Sequence, residues 1–316
     1  MSSVQKIVRV ASHAGDWYTA NANKLDAELS GWLERVDEQY PIQGCKAIIA
    51  PHAGYAYSGP TAAWAYKSID ITPIKRVFVL GPSHHIYIDG CALSTCTHYA
   101  TPLGDLPLDL DTIRELRATG NFEDLSRSAD EDEHSLEMHL PYIRKMFQGK
   151  DITIVPIVVG TVSQQAETAF GALLAPYIAR EDTFCVVSSD FCHWGTRFSY
   201  THYVPGADAP AIRLSRTLSP TADHPIHMSI RELDREAMDL LAKPPAAQAH
   251  TNFAAYLVRT KNTICGRHPI GVLLGVLAAL ASDRKPELKW VRYEQSSECV
   301  TIRDSSVSYA SAWVRF

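Results

Sequence analysis

Short apolar runs end abruptly in histidine-bearing loops at three places along this chain. Ala47-Ile48-Ile49-Ala50 gives way to Pro51-His52-Ala53-Gly54, and Val77-Phe78-Val79-Leu80 to Gly81-Pro82-Ser83-His84-His85. Phe184-Cys185-Val186-Val187 gives way to Ser188-Ser189-Asp190-Phe191-Cys192-His193. Runs of this length, bounded by Gly and Pro, predict buried strands of a largely parallel sheet. In such sheets the ligand crevice lies beyond the carboxyl ends of the strands. One architecture therefore gathers His52, His84, His85, Asp190 and His193 on a single rim.

Longer periodicities predict the helices. Leu25, Leu29, Trp32 and Leu33 mark an amphipathic helix over 21–38. Further helices are expected over 61–66, over 109–119 with Gly120 closing it, and over 133–147 with an interruption at Pro141. Others are expected over 164–179, over 229–242 with Lys243-Pro244-Pro245 stopping it, and over the strongly apolar 270–282. Residues 152–159 read as a strand that Pro156 makes bulged or peripheral. Residues 287–295 and 305–315 alternate as strands do. Residues 201–228, rich in Pro and Asp, read as a surface loop tolerant of length changes, with a short helix over 211–217. Without a composition break, the expectation is one α/β domain over 1–316. Its central sheet is largely parallel or mixed and flanked by helices.

Composition narrows the function classes. Of 316 residues, 46% are apolar and 21% charged, as a chain with a sizeable core requires. A net charge of −5 and the lack of a basic run argue against a nucleic-acid groove. No apolar stretch is long enough to span a bilayer, so no membrane insertion is expected. The N-terminus shows no secretory pattern. Seven scattered cysteines, an odd number without a CxxC pair, point to reduced thiols and a cytoplasmic chain, with the nucleus also open to it. A Cys91–Cys96 bridge is disfavoured on the same ground. No phosphate-cradling glycine motif occurs.

The rim residues suggest a metal or acid–base site. Adjacent side chains at a strand end diverge, so one of His84 and His85 faces the crevice, and His84 is the better candidate. Asp190 and His193, three apart, are either a general acid–base pair or residues that orient ligands. Ser188 and Ser189 lack the nucleophile-elbow pattern of a hydrolase. Cys265 precedes an apolar helix beside Arg267 and His268, which suits a thiolate ligand or nucleophile, or equally a small residue at a turn. The acids of 130–139 suit a helix start, and the whole segment, with His134 and His139, is expected at the rim of the site or behind it.

Six segments, in this order, together carry a family likeness. They are Ser12-His13-Ala14-Gly15-Asp16-Trp17-Tyr18, Pro51-His52-Ala53-Gly54-Tyr55, Gly81-Pro82-Ser83-His84-His85, residues 132–141, Ser188-Ser189-Asp190-Phe191-Cys192-His193-Trp194-Gly195, and Asn262-Thr263-Ile264-Cys265-Gly266-Arg267-His268-Pro269. The chain resembles the Memo family, mediators of receptor-driven cell motility, from about residue 10 to 312. The resemblance implies a fold like that of class III extradiol dioxygenases. It also implies one copper or iron ion on His52, His84 and Cys265, and a part in redox signalling and motility. A thiolate in place of the dioxygenase carboxylate argues against catechol ring cleavage. Two functions follow. One is a redox protein acting on O2 or a small molecule, with Asp190 and His193 handling protons. The other is an adaptor whose crevice, walled by Trp17, Tyr55 and Tyr57, binds a peptide or signalling protein.

Overall fold

The computed structural model describes residues 5–206 and 209–316. The first four residues, on which the reading of the N-terminus partly rests, and Asp208 of the 201–228 segment lie outside them. Nine strands form the central sheet: β1 (Cys45–Ala50), β2 (Arg76–Pro82), β3 (Cys91–Ser94), β4 (Phe122–Leu125), β5 (Thr153–Val159), β6 (Thr183–Ser188), β7 (His193–Trp194), β8 (Glu287–Gln295) and β9 (Ser306–Arg315). Their order is β7-β9-β1-β6-β2-β5-β3-β4, with β8 also paired to β9. Strands β1, β6, β2 and β5 are mutually parallel and almost wholly buried, so continuous apolar runs encode them. Strand β9 runs antiparallel to β1, and β3 antiparallel to β5. The sheet is thus mixed around a parallel centre, as expected.

Register places the three histidine loops together. Ala50 of β1 pairs with Ser188 of β6, and Val187 with Leu80 of β2. The residues that follow leave the sheet at one level, on the carboxyl rim. Helices cover both faces. Gln164–Ile178 and Arg267–Leu280 pack together on one side, where a Cβ on Gly171 would fall 2.5 Å from the Gly275 backbone. Ala22–Glu34 and Tyr55–Lys67 lie on the other, the first capped by Asn21, whose side chain accepts from the Lys24 N–H. No helix among the described residues is long and apolar enough to cross a membrane.

Several elements differ from expectation for identifiable reasons. Strand β5 is interior and unbulged despite Pro156. Its Ile154 carbonyl accepts from the Asp109 N–H, so residue 156 faces the same side. There, the missing N–H falls in the gap between that bridge and the β3 pairing, which spans only residues 157–159. The helix expected over 61–66 begins at Tyr55, because Ala56 and Pro60 both lie on its exposed face, where the lost bond is tolerable. The 133–147 helix is two pieces, His134–Glu137 and Leu140–Met146, with Pro141 in the first turn of the second.

Residues 211–217 form no helix. Ile212–Arg213 pairs instead with His202–Tyr203, and Pro210 and Pro220 close off the room for helical turns. The segment is also anchored rather than free. Tyr203 is fully buried, its hydroxyl 2.6 Å from the His224 carbonyl, and Leu214 is buried with it. Helix Ala246–Thr260, packed on Ile226–Ala242, had no counterpart in the sequence reading.

Candidate metal centre

Strand β1 ends at Ala50, and Pro51 turns His52 onto the rim. The His52 backbone N–H donates to Asp190 Oδ1 at 2.9 Å, which ties the β1 and β6 loops together. Its ring Nδ1 lies 2.6 Å from Ser188 Oγ. That hydroxyl gives its one proton to the Ser135 carbonyl at 2.8 Å, so it accepts the Nδ1–H of His52. The Nε2 lone pair is thereby left free, 3.3 Å from Cys265 Sγ. Burial and the neighbouring imidazoles push His52 well below its ordinary pKa, so it is neutral.

His84 is fixed in the same way by a carboxylate. Its backbone N–H donates to Glu133 Oε2 at 2.6 Å, and its Nδ1 lies 2.9 Å from Oε1. An ionised carboxylate only accepts, so Nδ1 carries the proton and Nε2 is free. Burial works against the ionised Glu133, but His84, His134 and the Ser135 N–H outweigh it and hold the carboxyl down at about 2.

Cys265 arrives from the turn before Arg267–Leu280. A Cβ on Gly266 would lie 2.3 Å from both the Ser188 carbonyl and Ser189 Cβ, so only glycine lets this turn press against the end of β6. The thiol accepts the Asp190 N–H at 3.3 Å. Burial, and the nearby Asp190, push its pKa far up, and a cation is what would offset that cost. One donor atom from each of His52, His84 and Cys265 lies within 4.8 Å of the other two. Two imidazoles whose Nδ1 protons are held by buried acceptors, and one thiol, fit a soft or borderline transition metal. His84, Glu133 and His134 form a second such group, but there Glu133 already holds the His84 Nδ1–H.

Asp190 is buried, and burial pushes its carboxyl up to about 7 against the hydrogen bonds from the His52 and Ala53 N–H groups. His193 gives its Nδ1–H to the Phe191 and Thr263 carbonyls at 2.9 and 3.1 Å, and burial keeps it neutral. Asp190 stands on the loop after β6 and His193 opens β7, and no hydrogen bond joins them among the described residues. The geometry therefore supplies two separate groups rather than a dyad.

The aromatic wall divides. Trp17 packs at 4.4 Å on His134, which stacks at 4.3 Å on His84. Tyr57 is 63% exposed and lines a cavity of about 470 Å³ with Trp17, Arg197, Phe198 and Tyr309. Tyr55 does not line it. Two helical positions are separated by about 200°, so Tyr55 points inward where Tyr57 points out. The Tyr55 hydroxyl donates to the Met138 carbonyl at 2.7 Å, and its ring packs with Tyr18, Trp32 and Tyr142.

His85 is exposed, while His139 is buried 2.8 Å from the Tyr66 hydroxyl and away from the rim. Glu133 and Glu137 belong to the 130–139 segment expected behind the site, and they hold the His84 and His13 rings; Ser188 as the partner of His52, and Arg9, were not expected. Arg9 is fully buried between Asp130 and Glu137.

Fold and site together define a mixed α/β protein with a candidate histidine–thiol metal centre on the carboxyl rim of its sheet. The family model described as Memo-like protein matches residues 9–313. Protein MEMO1 of Xenopus tropicalis is 45% identical over 312 residues, covering 98% of each chain. Protein MEMO1 of Homo sapiens is 44% identical over 308 residues, covering 96% of each. The chain belongs to the Memo family. A crystal structure described as an uncharacterized protein, JW3007 of Escherichia coli K12, covers 83% of this chain and 98% of its own at 17% identity, with a TM-score of 0.46.

Proposed function

We propose that this chain is a metal-dependent redox protein of redox signalling and cell motility, holding one copper or iron ion between His52, His84 and Cys265. The observation that supports this best is the pinning of both histidines. Each gives its Nδ1–H to a buried acceptor, and each keeps Nε2 free beside one thiol. Such an ion supplies one-electron chemistry toward O2 or a small substrate when bound.

The chain's own residues prepare that chemistry. Cys265 must lose its proton to serve as a ligand, and the Asp190 N–H steadies the sulfur when it does. Asp190, with a carboxyl near 7, changes protonation in the neutral range, and His193 offers a free Nε2 as a proton acceptor. All seven cysteines are unpaired, as the reducing cytoplasm would keep them.

An adaptor reading also has a specific observation behind it. The cavity walled by Trp17, Tyr57, Arg197 and Phe198 opens beside His52 and is large enough for a peptide side chain. Superoxide or peroxide production by the metal-loaded protein and by Cys265→Ser, beside a catechol panel, separates the readings. The redox reading expects metal-dependent turnover that Cys265→Ser loses, and little ring opening. Robust ring opening contradicts it. Peptide binding without any turnover supports the adaptor.

A further inference from the structure

The end of helix Arg267–Leu280 that lies away from Cys265 borders a cavity of its own. The helix runs for 14 residues from the Cys265 turn. At 1.5 Å per residue, its far end stands about 20 Å from the metal-bearing rim. There the ends of helices Ile226–Ala242 and Arg267–Leu280, the start of helix Ala246–Thr260 and the start of β8 enclose about 330 Å³. That is the low end of the range for small-molecule sites.

The floor is leucine. Leu274 and Leu277 stand three apart on one helix face, and Leu241 and Leu288 meet them from two other elements, all four buried. Pro244, Pro245 and Pro286 add apolar wall and bring no N–H. The helix-end carbonyls of Leu240 and Leu280 are already taken, the first by the Lys243 N–H and the second by the Asp283 and Arg284 N–H groups. Among the described residues, no hydroxyl, amide or carboxylate side chain lines the cavity. Every lining side chain is apolar or cationic.

The cations are Lys243, Arg284 and Lys285. Arg284 is partly engaged, donating to the Phe316 and Ala179 oxygens at 3.4 and 3.2 Å. Lys243 and Lys285 are exposed and form no ion pair among the described residues. Asp283 and Glu287, close by in the chain, do not line the cavity, and Glu287 is held by Arg315 at 2.7 Å.

We propose that this cavity binds a single-chain amphipathic carboxylate, a medium-chain fatty acid. Its alkyl chain lies on the four leucines and its carboxylate between Lys243 and Lys285. The leucine floor rewards an alkyl body in proportion to the area it removes from water. A mouth that offers cations and no side-chain acceptor selects an anionic head over a neutral or cationic one. The assignment holds whether or not the distant rim carries an ion.

The test is calorimetric titration of the full-length chain with hexanoate, octanoate and decanoate below their micelle concentrations, beside 1-decanol. Affinity is expected to rise about threefold per added methylene. Decanoate is expected to bind at least tenfold more tightly than 1-decanol. Lys243→Gln combined with Lys285→Gln should close that gap while leaving 1-decanol binding unchanged. Ala281→Phe, at an exposed wall position, should weaken decanoate at least tenfold by filling the cavity. Cooperative melting of both variants shows that they remain folded. No decanoate binding overturns the site, and equal affinity along the chain-length series overturns the alkyl body. A decanol affinity matching that of decanoate, or a gap that survives in the double lysine variant, overturns the carboxylate head. Undiminished binding by Ala281→Phe places the ligand elsewhere and overturns the assignment.

Discussion

Ser188 Oγ lies 2.6 Å from His52 Nδ1 and passes its own proton to the Ser135 carbonyl. One hydroxyl therefore decides which nitrogen of His52 faces Cys265. Ser188→Ala is predicted to lower Cu(I) or Fe(II) affinity by about 10–100-fold, the usual cost of losing an orienting partner. His52→Ala should cost more. Competition titration against a chelator of known affinity checks both. An unchanged Ser188→Ala affinity would mean that the ring is oriented by other contacts.

Asp234 gives a pH prediction away from the metal centre. Burial pushes its carboxyl up to about 6 from 3.8, despite bonds to Ser308, Asn262, Tyr293 and the Cys192 N–H. The folded chain thus holds a proton that the unfolded chain has lost between about pH 4 and 6. Its contribution to stability falls as pH rises through that window, by on the order of 3 kcal/mol. Asp234→Asn keeps most of these bonds and is expected to flatten that slope. Denaturant midpoints measured from pH 4 to 7 read the difference, and parallel curves would contradict it.

Residues 201–228 are predicted to matter for stability. Tyr203→Ala removes a fully buried aromatic and its bonds to the His224 carbonyl and Thr221. A cost of about 3–5 kcal/mol is expected, with a clear drop in melting temperature. Tyr203→Phe, losing the hydroxyl bonds alone, should cost about 1 kcal/mol. A Tyr203→Ala melting curve that matches wild type would show a loop that rests on the core without supporting it.

Tyr55 and Tyr57 separate stability from recognition. Tyr57→Ala is expected to leave the melting temperature near wild type, since the side chain is exposed, and to weaken any peptide held in the Trp17–Phe198 cavity. Tyr55→Ala should instead destabilise by about 3 kcal/mol or more, by opening the cluster with Tyr18, Trp32 and Tyr142. Calorimetry beside peptide titration distinguishes the two. Equal melting losses would contradict the assignment.

The parallel centre was legible because β1, β2 and β6 are buried on both faces and so read as unbroken apolar runs. Their shared rim then followed from topology. What the sequence hid were contacts between distant residues. Nothing near Arg9 signals that Glu137 and Asp130 will enclose it, and nothing near His52 names Ser188 as its partner. Tyr55 and Tyr57 looked equivalent because the helix was expected to begin at Thr61. Once it begins at Tyr55, its periodicity sends them to opposite sides. Pro156 signalled an edge, but a local gap in pairing accommodates it inside the sheet.

His52, His84 and Cys265 are expected to hold one ion between them. Anaerobic titration of Cu(I), and separately of Fe(II), into untagged protein and into His52→Ala, His84→Ala and Cys265→Ser tests it most directly. One ion per wild-type chain is expected, with a loss of well over tenfold in affinity in each variant and melting curves that remain cooperative. Unchanged affinity in all three variants would contradict it.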